Sequence, residues 1–149
     1  MPTVCQGIYS RGVAEDLGAL LARSTRRVIA EERPLLDELD LSMWGYILLS
    51  RLSRAPAETQ LALATAINYD KTRLIGLLDE LEHDGLVTRR PDPKDRRARI
   101  VSLTPEGERR HAAARSAIKA MEDRLLAGAS AADRRRLWRL LADLSDDSA

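Results

Sequence analysis

Residues 69–107, YDKTRLIGLLDELEHDGLVTRRPDPKDRRARIVSLTPEG, constrain this chain more than any other stretch. Leu74, Ile75, Leu77, Leu78 and Leu81 recur at three- and four-residue spacing and predict the buried face of a helix over 71–83. Thr72, Arg73, Gly76, Asp79, Glu80 and His83 fall on the other face. Asp70 suits the N-cap of that helix, and Gly85 suits its C-terminal stop. Leu86-Val87 opens a strand, and Pro91, Asp92 and Pro93 force a turn. The alternating run RIVSL at 99–103 returns as a second strand, and Thr104 followed by Pro105 starts another helix. A helix followed by a two-stranded ribbon with an Arg-rich tip suits a duplex. The helix fits a major groove, and the tip reaches phosphates or the minor groove.

Net charge is only +1, so the global balance carries no nucleic-acid signal. The distribution does. Between residues 87 and 110, Arg89, Arg90, Lys94, Arg96, Arg97, Arg99, Arg109 and Arg110 face only Asp92, Asp95, Glu106 and Glu108, a local excess of four positive charges. The single cysteine, Cys5, excludes an internal disulfide framework. No apolar run approaches the roughly 20 residues of a membrane span, and the N-terminus has no basic region leading into an apolar stretch. A cytoplasmic location is therefore expected. With 149 residues a single domain is expected, and without Phe its core must be built from Leu, Ile, Val and Ala.

Before residue 69 the chain reads as an irregular arm (1–12) and a helix over 13–32 with an apolar stripe of Val13, Leu17, Leu20, Leu21 and Val28, ended or kinked at Pro34. Ser42 is expected to cap a helix over 43–54 that buries Trp44, Ile47, Leu48 and Leu52. Thr59 is expected to cap a short helix, QLALATAI, and Asn68 to take a positive φ. Two short helices joined by a tight turn make a helix-turn-helix. The helix begun at Thr104-Pro105 is long, with His111, Arg115, Ile118, Met121 or Glu122, and Leu125 on one face, and runs to Gly128. Ser130 and Asp133 begin a last helix, expected to bury Leu137, Leu140, Leu141 and Leu144.

This order of elements resembles the MarR-type winged helix-turn-helix transcription regulators. The resemblance rests on Asp95-Arg96-Arg97, followed after six residues by Thr104-Pro105-Glu106-Gly107 and preceded by Leu81-Glu82-His83-Asp84-Gly85-Leu86-Val87. It covers roughly residues 13–145. It implies a mainly α fold with a small β-hairpin wing, as one MarR-like domain over 1–149. Residues 42–104 would form the DNA-binding region, and 13–34 and 105–145 the dimerisation helices. It further implies a homodimeric, sequence-specific DNA-binding regulator of the repressor type. Such a regulator binds a pseudo-palindromic operator in double-stranded DNA and responds to a small, often aromatic or phenolic, effector.

On this resemblance the DNA-binding residues are Lys71, Thr72, Arg73 and Gly76 on the recognition helix and Arg89, Arg90, Lys94, Arg96, Arg97 and Arg99 on the wing. Arg97 is the residue implied to enter the minor groove, where a narrow width attracts cations. Asp95 is implied to orient it through a charge-assisted pair. Trp44 and Tyr46 are candidate ligand-binding residues. The chain departs from the family pattern at Ile75, Gly76 and Glu80, where Thr or Ser and basic residues are usual. Gly76 and Glu80 also fit a dimeric ligand- or protein-binding module whose DNA binding has decayed, and Cys5 leaves open a redox-sensing regulator. The sequence shows no nucleophile–base pair, no phosphate loop and no metal-ligand spacing. Catalytic residues, metal ligands and cofactors are therefore expected to be none, and the chain is not expected to be an enzyme.

Overall fold

The computed structural model describes residues 16–55 and 57–145. The N-terminal arm with Cys5, and Val13, lie outside the described residues. By compactness the chain divides into two units, residues 1–31 and 32–149. The elements in chain order are α1 (Leu17–Asp37), α2 (Met43–Arg54), β1 (Glu58–Thr59), α3 (Gln60–Ala66), α4 (Lys71–His83), β2 (Val87–Pro91), β3 (Arg99–Leu103), α5 (Pro105–Leu125) and α6 (Ala131–Ser145).

One capping device recurs at three corners. Asp40, Asn68 and Gly85 have φ values of 51°, 49° and 71°, which place them in the left-handed region. In each case the next residue donates its N–H five residues back, and the left-handed residue donates three residues back. The long bonds are Leu41 N to Leu36 O (3.0 Å), Tyr69 N to Ala64 O (2.9 Å) and Leu86 N to Leu81 O (2.9 Å). This is the Schellman pattern, which satisfies carbonyls that a helix end leaves free. Leu36, Ala64 and Leu81, the acceptors, are all buried. Next come the N-caps. Ser42 accepts from Gly45 N at 3.0 Å, Thr59 from Ala62 N at 3.1 Å, Asp70 from Arg73 N at 2.9 Å and Thr104 from Gly107 N at 3.0 Å. At Asp40–Ser42 and Asn68–Asp70 a C-cap and an N-cap stand two residues apart, so the chain turns between helices with little unpaired backbone.

The sequence expectations need five corrections here. First, α1 does not end at Pro34 but passes through it to Asp37. Proline forgoes one bond to the preceding turn, and the Schellman cap at Asp40 terminates the segment instead. Second, the wing is not a bare hairpin. Glu58–Thr59 adds a third strand, in the order β1-β3-β2, all antiparallel, with Glu58 opposite Val101 and Val87 opposite Leu103. Arg51 on α2 holds this short strand by pairing with the Glu58 carboxylate, with Nε at 3.0 Å from Oε2.

Third, α2 buries Gly45, Leu48, Leu49 and Leu52, whereas Trp44 is 38% exposed. The helix is rotated so that Trp44 stacks on Tyr69 of the helix-turn-helix, with ring centroids 4.3 Å apart. Fourth, Ile75 is exposed, so the inner face of α4 is Leu74, Leu77, Leu78 and Leu81 alone. Fifth, Leu137, Leu140, Leu141 and Leu144 of α6 are exposed rather than buried, and so is Arg115 of α5. Among the described residues nothing covers the apolar side of α6.

The core of residues 32–149 joins α2, α3, α4, α5 and the sheet. Leu48, Leu49, Leu52, Leu63, Leu74, Leu78, Leu86, Val87, Val101 and Met121 are all under 2% exposed. The tightest joint is where α4, the wing and α5 meet. Thr104 Oγ1 donates to Gly85 O at 2.6 Å, and Thr104 N donates to Leu86 O at 3.0 Å. A Cβ on Gly107 would lie 2.0 Å from that same Leu86 oxygen, so only glycine lets the first turn of α5 close on the base of the wing. Gly107→Ala should therefore destabilise the fold by on the order of 1–3 kcal/mol, the usual range for overpacking. Gly128→Ala, whose Cβ would meet nothing within 4 Å, should leave the urea midpoint in place. Equal midpoints for the two variants would refute the joint.

Candidate nucleic-acid interface

The outer face of α4 starts at its N-cap. Lys71, Thr72, Arg73, Ile75, Gly76, Asp79, Glu80 and His83 are all exposed. Thr72, Ile75, Gly76 and Asp79 form one stripe at i, i+3, i+4 and i+7. Gly76 has helical φ and open space around it, since a Cβ there would meet nothing within 4 Å. Neither packing nor backbone conformation asks for glycine at this position.

The wing tip is closed by its own backbone. Asp92 N donates to Ala98 O at 3.0 Å, Ala98 N donates to Asp95 O at 2.9 Å, and Asp92 Oδ1 accepts from Lys94 N at 2.8 Å. The expected side-chain pair between Asp95 and Arg97 is not formed. Asp95 Oδ1 instead accepts the backbone N–H of Arg97 at 2.9 Å. An Asp side chain two residues before an N–H is placed to make this local bond. Asp95 thus shapes the turn that carries Arg97 rather than gripping its guanidinium. Arg90, Lys94, Arg96, Arg97 and Arg99 are exposed, and none has a carboxylate partner among the described residues.

Arg89 behaves differently from the other wing arginines. Its side chain is 20% exposed and turns back onto α4. Nε and Nη2 donate to Glu82 Oε2 at 2.9 and 2.6 Å, Nη2 also reaches Asp79 Oδ1 at 2.5 Å, and the Arg89 backbone N–H donates to Glu82 Oε1 at 3.1 Å. The hydrogen bonds from Arg89 hold the Glu82 carboxyl below its usual range, and donating to the Glu82 carboxylate pushes the guanidinium up. Of the residues expected to touch DNA, Arg89 is the one committed inside the protein, as a clamp between β2 and the recognition helix.

Away from this surface lies a cleft of about 820 Å³ between α2, α5 and α6. Tyr46, Ser50, Arg115, Ile118, Arg134 and Trp138 are among its lining residues. Tyr46, a candidate ligand-binding residue, thus lines the cleft, whereas Trp44 does not and packs on Tyr69. His111, buried, stacks on Tyr46 with centroids 5.7 Å apart. Its Nε2 lies 3.0 Å from Ser50 Oγ, in a hydrogen bond whose direction follows the imidazole tautomer. Burial lowers the His111 pKa, and Arg115 and Arg54 push it further down.

With this geometry in view, comparison with known proteins is direct. A sequence model of the MarR family matches residues 41–98, the stretch from the start of α2 to the tip of the wing. Over this stretch the chain matches a MarR-family domain. Its structure is similar to that of a transcriptional repressor, CouR, bound to a 23-mer DNA duplex. The two are 29% identical over 88% of this chain and 93% of that one, with a TM-score of 0.81. A MarR-family transcriptional regulator from Rhodococcus sp. RHA1 is 28% identical over 91% of this chain and 96% of its own, with a TM-score of 0.80. The PcaV regulator from Streptomyces coelicolor, solved with its natural ligand, shares the fold at 23% identity and a TM-score of 0.75, over 93% of this chain and all of that one.

Two features of the structure are not legible in the sequence. The Arg89 clamp had a signal, since Glu82 and Asp79 lie on adjacent turns of α4 three residues apart, but the strand direction that brings Arg89 to them is tertiary information. The Ser50–His111 bond spans 61 residues and had none. Both carry expectations. Arg89→Ala and Glu82→Ala should each lower the melting temperature, and the double variant should lose clearly less than their sum. Strict additivity would mean the clamp is not a unit. For His111, a folded pKa below the unfolded value near 6.5 means that the unfolded state binds the proton more readily. Stability should then fall as pH drops from about 6.5 through the folded pKa. His111→Gln should flatten that part of the melting-temperature profile between pH 7.5 and 5.5, and identical profiles would sink the assignment.

Proposed function

We propose that the chain is a homodimeric, sequence-specific DNA-binding transcription regulator of the repressor type that binds a pseudo-palindromic operator and responds to a small aromatic or phenolic effector. The observation that carries this is the pairing of an exposed recognition-helix face with five wing cations that lack carboxylate partners among the described residues. Lys71, Thr72, Arg73 and Gly76 are assigned to the major groove. Arg90, Lys94, Arg96 and Arg99 are assigned to phosphates, and Arg97 to the minor groove. Arg89 keeps the wing in register with α4 and Asp95 shapes the turn. CouR, a repressor solved on a DNA duplex, supports the DNA partner.

Dimerisation is assigned to residues 13–34 and 105–145, with 42–104 as the DNA-binding region. Its support is the apolar surface that a lone chain leaves in water. Leu17, Leu20 and Leu21 are exposed on α1, as are Leu137, Trp138, Leu140, Leu141 and Leu144 on α6. Faces of this kind mark protein–protein contacts. Effector binding is assigned to the cleft at Tyr46, where Trp138 offers a ring face and Arg115 and Arg134 offer charge for a phenolate or carboxylate. PcaV, described with its natural ligand, supports a ligand-responsive reading. Among the described residues no helix is long and apolar enough to cross a membrane.

The test is a gel-shift titration over a salt series, on a duplex selected from a random pool by the wild-type protein. Affinity should fall steeply with salt, with a slope near 0.9 per neutralised phosphate in log–log form. Arg97→Ala should weaken binding about tenfold or more and flatten the slope. Unchanged affinity and slope would remove Arg97 from the interface, and no retardation at any salt would favour the decayed ligand- or protein-binding module.

A further inference from the structure

The recognition stripe of α4 has an unusual chemical character. Its middle is uncharged. Ile75 is 49% exposed, while its helix neighbours Leu74, Leu77 and Leu78 are each 8% exposed or less. A half-exposed Ile on a helix otherwise sorted into apolar-inside and polar-outside faces is the exception that asks for a partner. Thr72, one turn earlier, adds a methyl and a hydroxyl to the same stripe. Gly76, on its other flank, adds no side chain at all, although nothing in the protein would obstruct one. Towards the helix C-terminus the character changes, because Asp79 is held by Arg89. Towards the N-terminus, Lys71 and Arg73 are exposed and without a carboxylate partner among the described residues. The result is an apolar knob beside a shallow step, with cations on its N-terminal side that suit phosphates.

In the major groove the one apolar group on a base edge is the C5-methyl of thymine. An Ile side chain cannot accept or donate a hydrogen bond, so it distinguishes bases only through that methyl and by excluding water from it. A step left by glycine lets the helix backbone come close enough for a side chain of only four carbons to reach the groove floor. We propose that Ile75 is a specificity-determining residue that reads thymine methyl groups in each half-site, and that Gly76 is glycine so that α4 can approach the base edges closely. This rests on the DNA-binding function proposed above and deepens it. It assigns to a hydrophobic contact the readout that a polar side chain would otherwise supply at these two positions.

The experiment uses the full-length chain and duplexes that the wild-type protein selects from a random pool. In the selected sequence each dT is replaced by dU in symmetric pairs, which removes the methyl and leaves every hydrogen-bonding group in place. One such pair should weaken wild-type binding. One methyl contact is worth about three- to fivefold, and the two half-sites multiply to roughly tenfold or more. Ile75→Ala should bind the dT and dU duplexes equally while keeping the wild-type salt slope. Gly76→Ala should raise the melting temperature, because alanine favours the helix, and at the same time lower DNA affinity. The assignment to Ile75 is overturned if no dT-to-dU replacement affects the wild type, or if Ile75→Ala keeps the full methyl dependence. The assignment to Gly76 is overturned if Gly76→Ala binds as tightly as the wild type. Failure to select or retard any duplex would instead overturn the DNA-binding function itself, so the two failures are distinguishable.

Discussion

The contact on which the helix-and-wing unit depends is the one between Leu86 and the first turn of α5. The Leu86 carbonyl accepts from Thr104 N at 3.0 Å and lies where a Cβ on Gly107 would have to be. Thr104 meanwhile caps α5 and binds Gly85 O. The C-terminus of α4, both ends of the hairpin and the N-terminus of α5 are therefore tied together through Gly85, Leu86, Thr104 and Gly107. A helix that reads a groove and a wing that reaches past it are useful only at a fixed separation. This joint sets that separation at one end, and the Arg89 clamp onto Glu82 and Asp79 sets it along the flank of the helix. One of these ties is steric and backbone-based, the other ionic, so they respond differently to salt.

The three left-handed corners explain why so small a region needs so little loop. Asp40, Asn68 and Gly85 each end a helix and place an apolar or aromatic residue, Leu41, Tyr69 or Leu86, immediately after it. Leu41 and Leu86 are buried. Tyr69 stacks on Trp44 and so links the turn of the helix-turn-helix to α2. The same α2 carries Tyr46 and Ser50, which line the cleft, and Arg51, which holds β1. One helix thus touches the reading unit through its first residues and the cavity through its middle. α2 is thus shared by the cleft and by the turn that precedes α4.

Local chemistry was the legible part of the sequence. Caps at Ser42, Thr59, Asp70 and Thr104, the positive φ of Asn68 and the stop at Gly85 all follow from what a side chain does for the nearest backbone, and the structure has them where they were expected. The MarR-type pattern of the wing was legible for the same reason, since it is a run of turn and cap residues at set offsets. What failed was anything decided by a third body. Ile75 satisfied the helical period as well as Leu74 did, and only the position of the core says that it points away. Leu137 to Leu144 make a regular apolar stripe, but periodicity cannot say whether the covering surface belongs to the same chain. Trp44 looked like core because it is large and apolar, yet it is partly in solvent against the ring of Tyr69, in the turn before α4. Arg89 looked like its neighbours Arg90 and Arg97 in the sequence, and strand pairing alone separates it from them.

The Asx bonds at the wing tip have a further consequence, for how such a protein diversifies. Because Asp92 and Asp95 spend their carboxylates on backbone N–H groups, the shape of the tip owes nothing to the guanidiniums it displays. Lys94, Arg96 and Arg97 are cargo on a self-supporting bracket. Substitutions among them change what is touched without changing whether the chain folds. The wing is therefore a place where the displayed cations can change while stability stays constant, a freedom denied to Arg89 on β2.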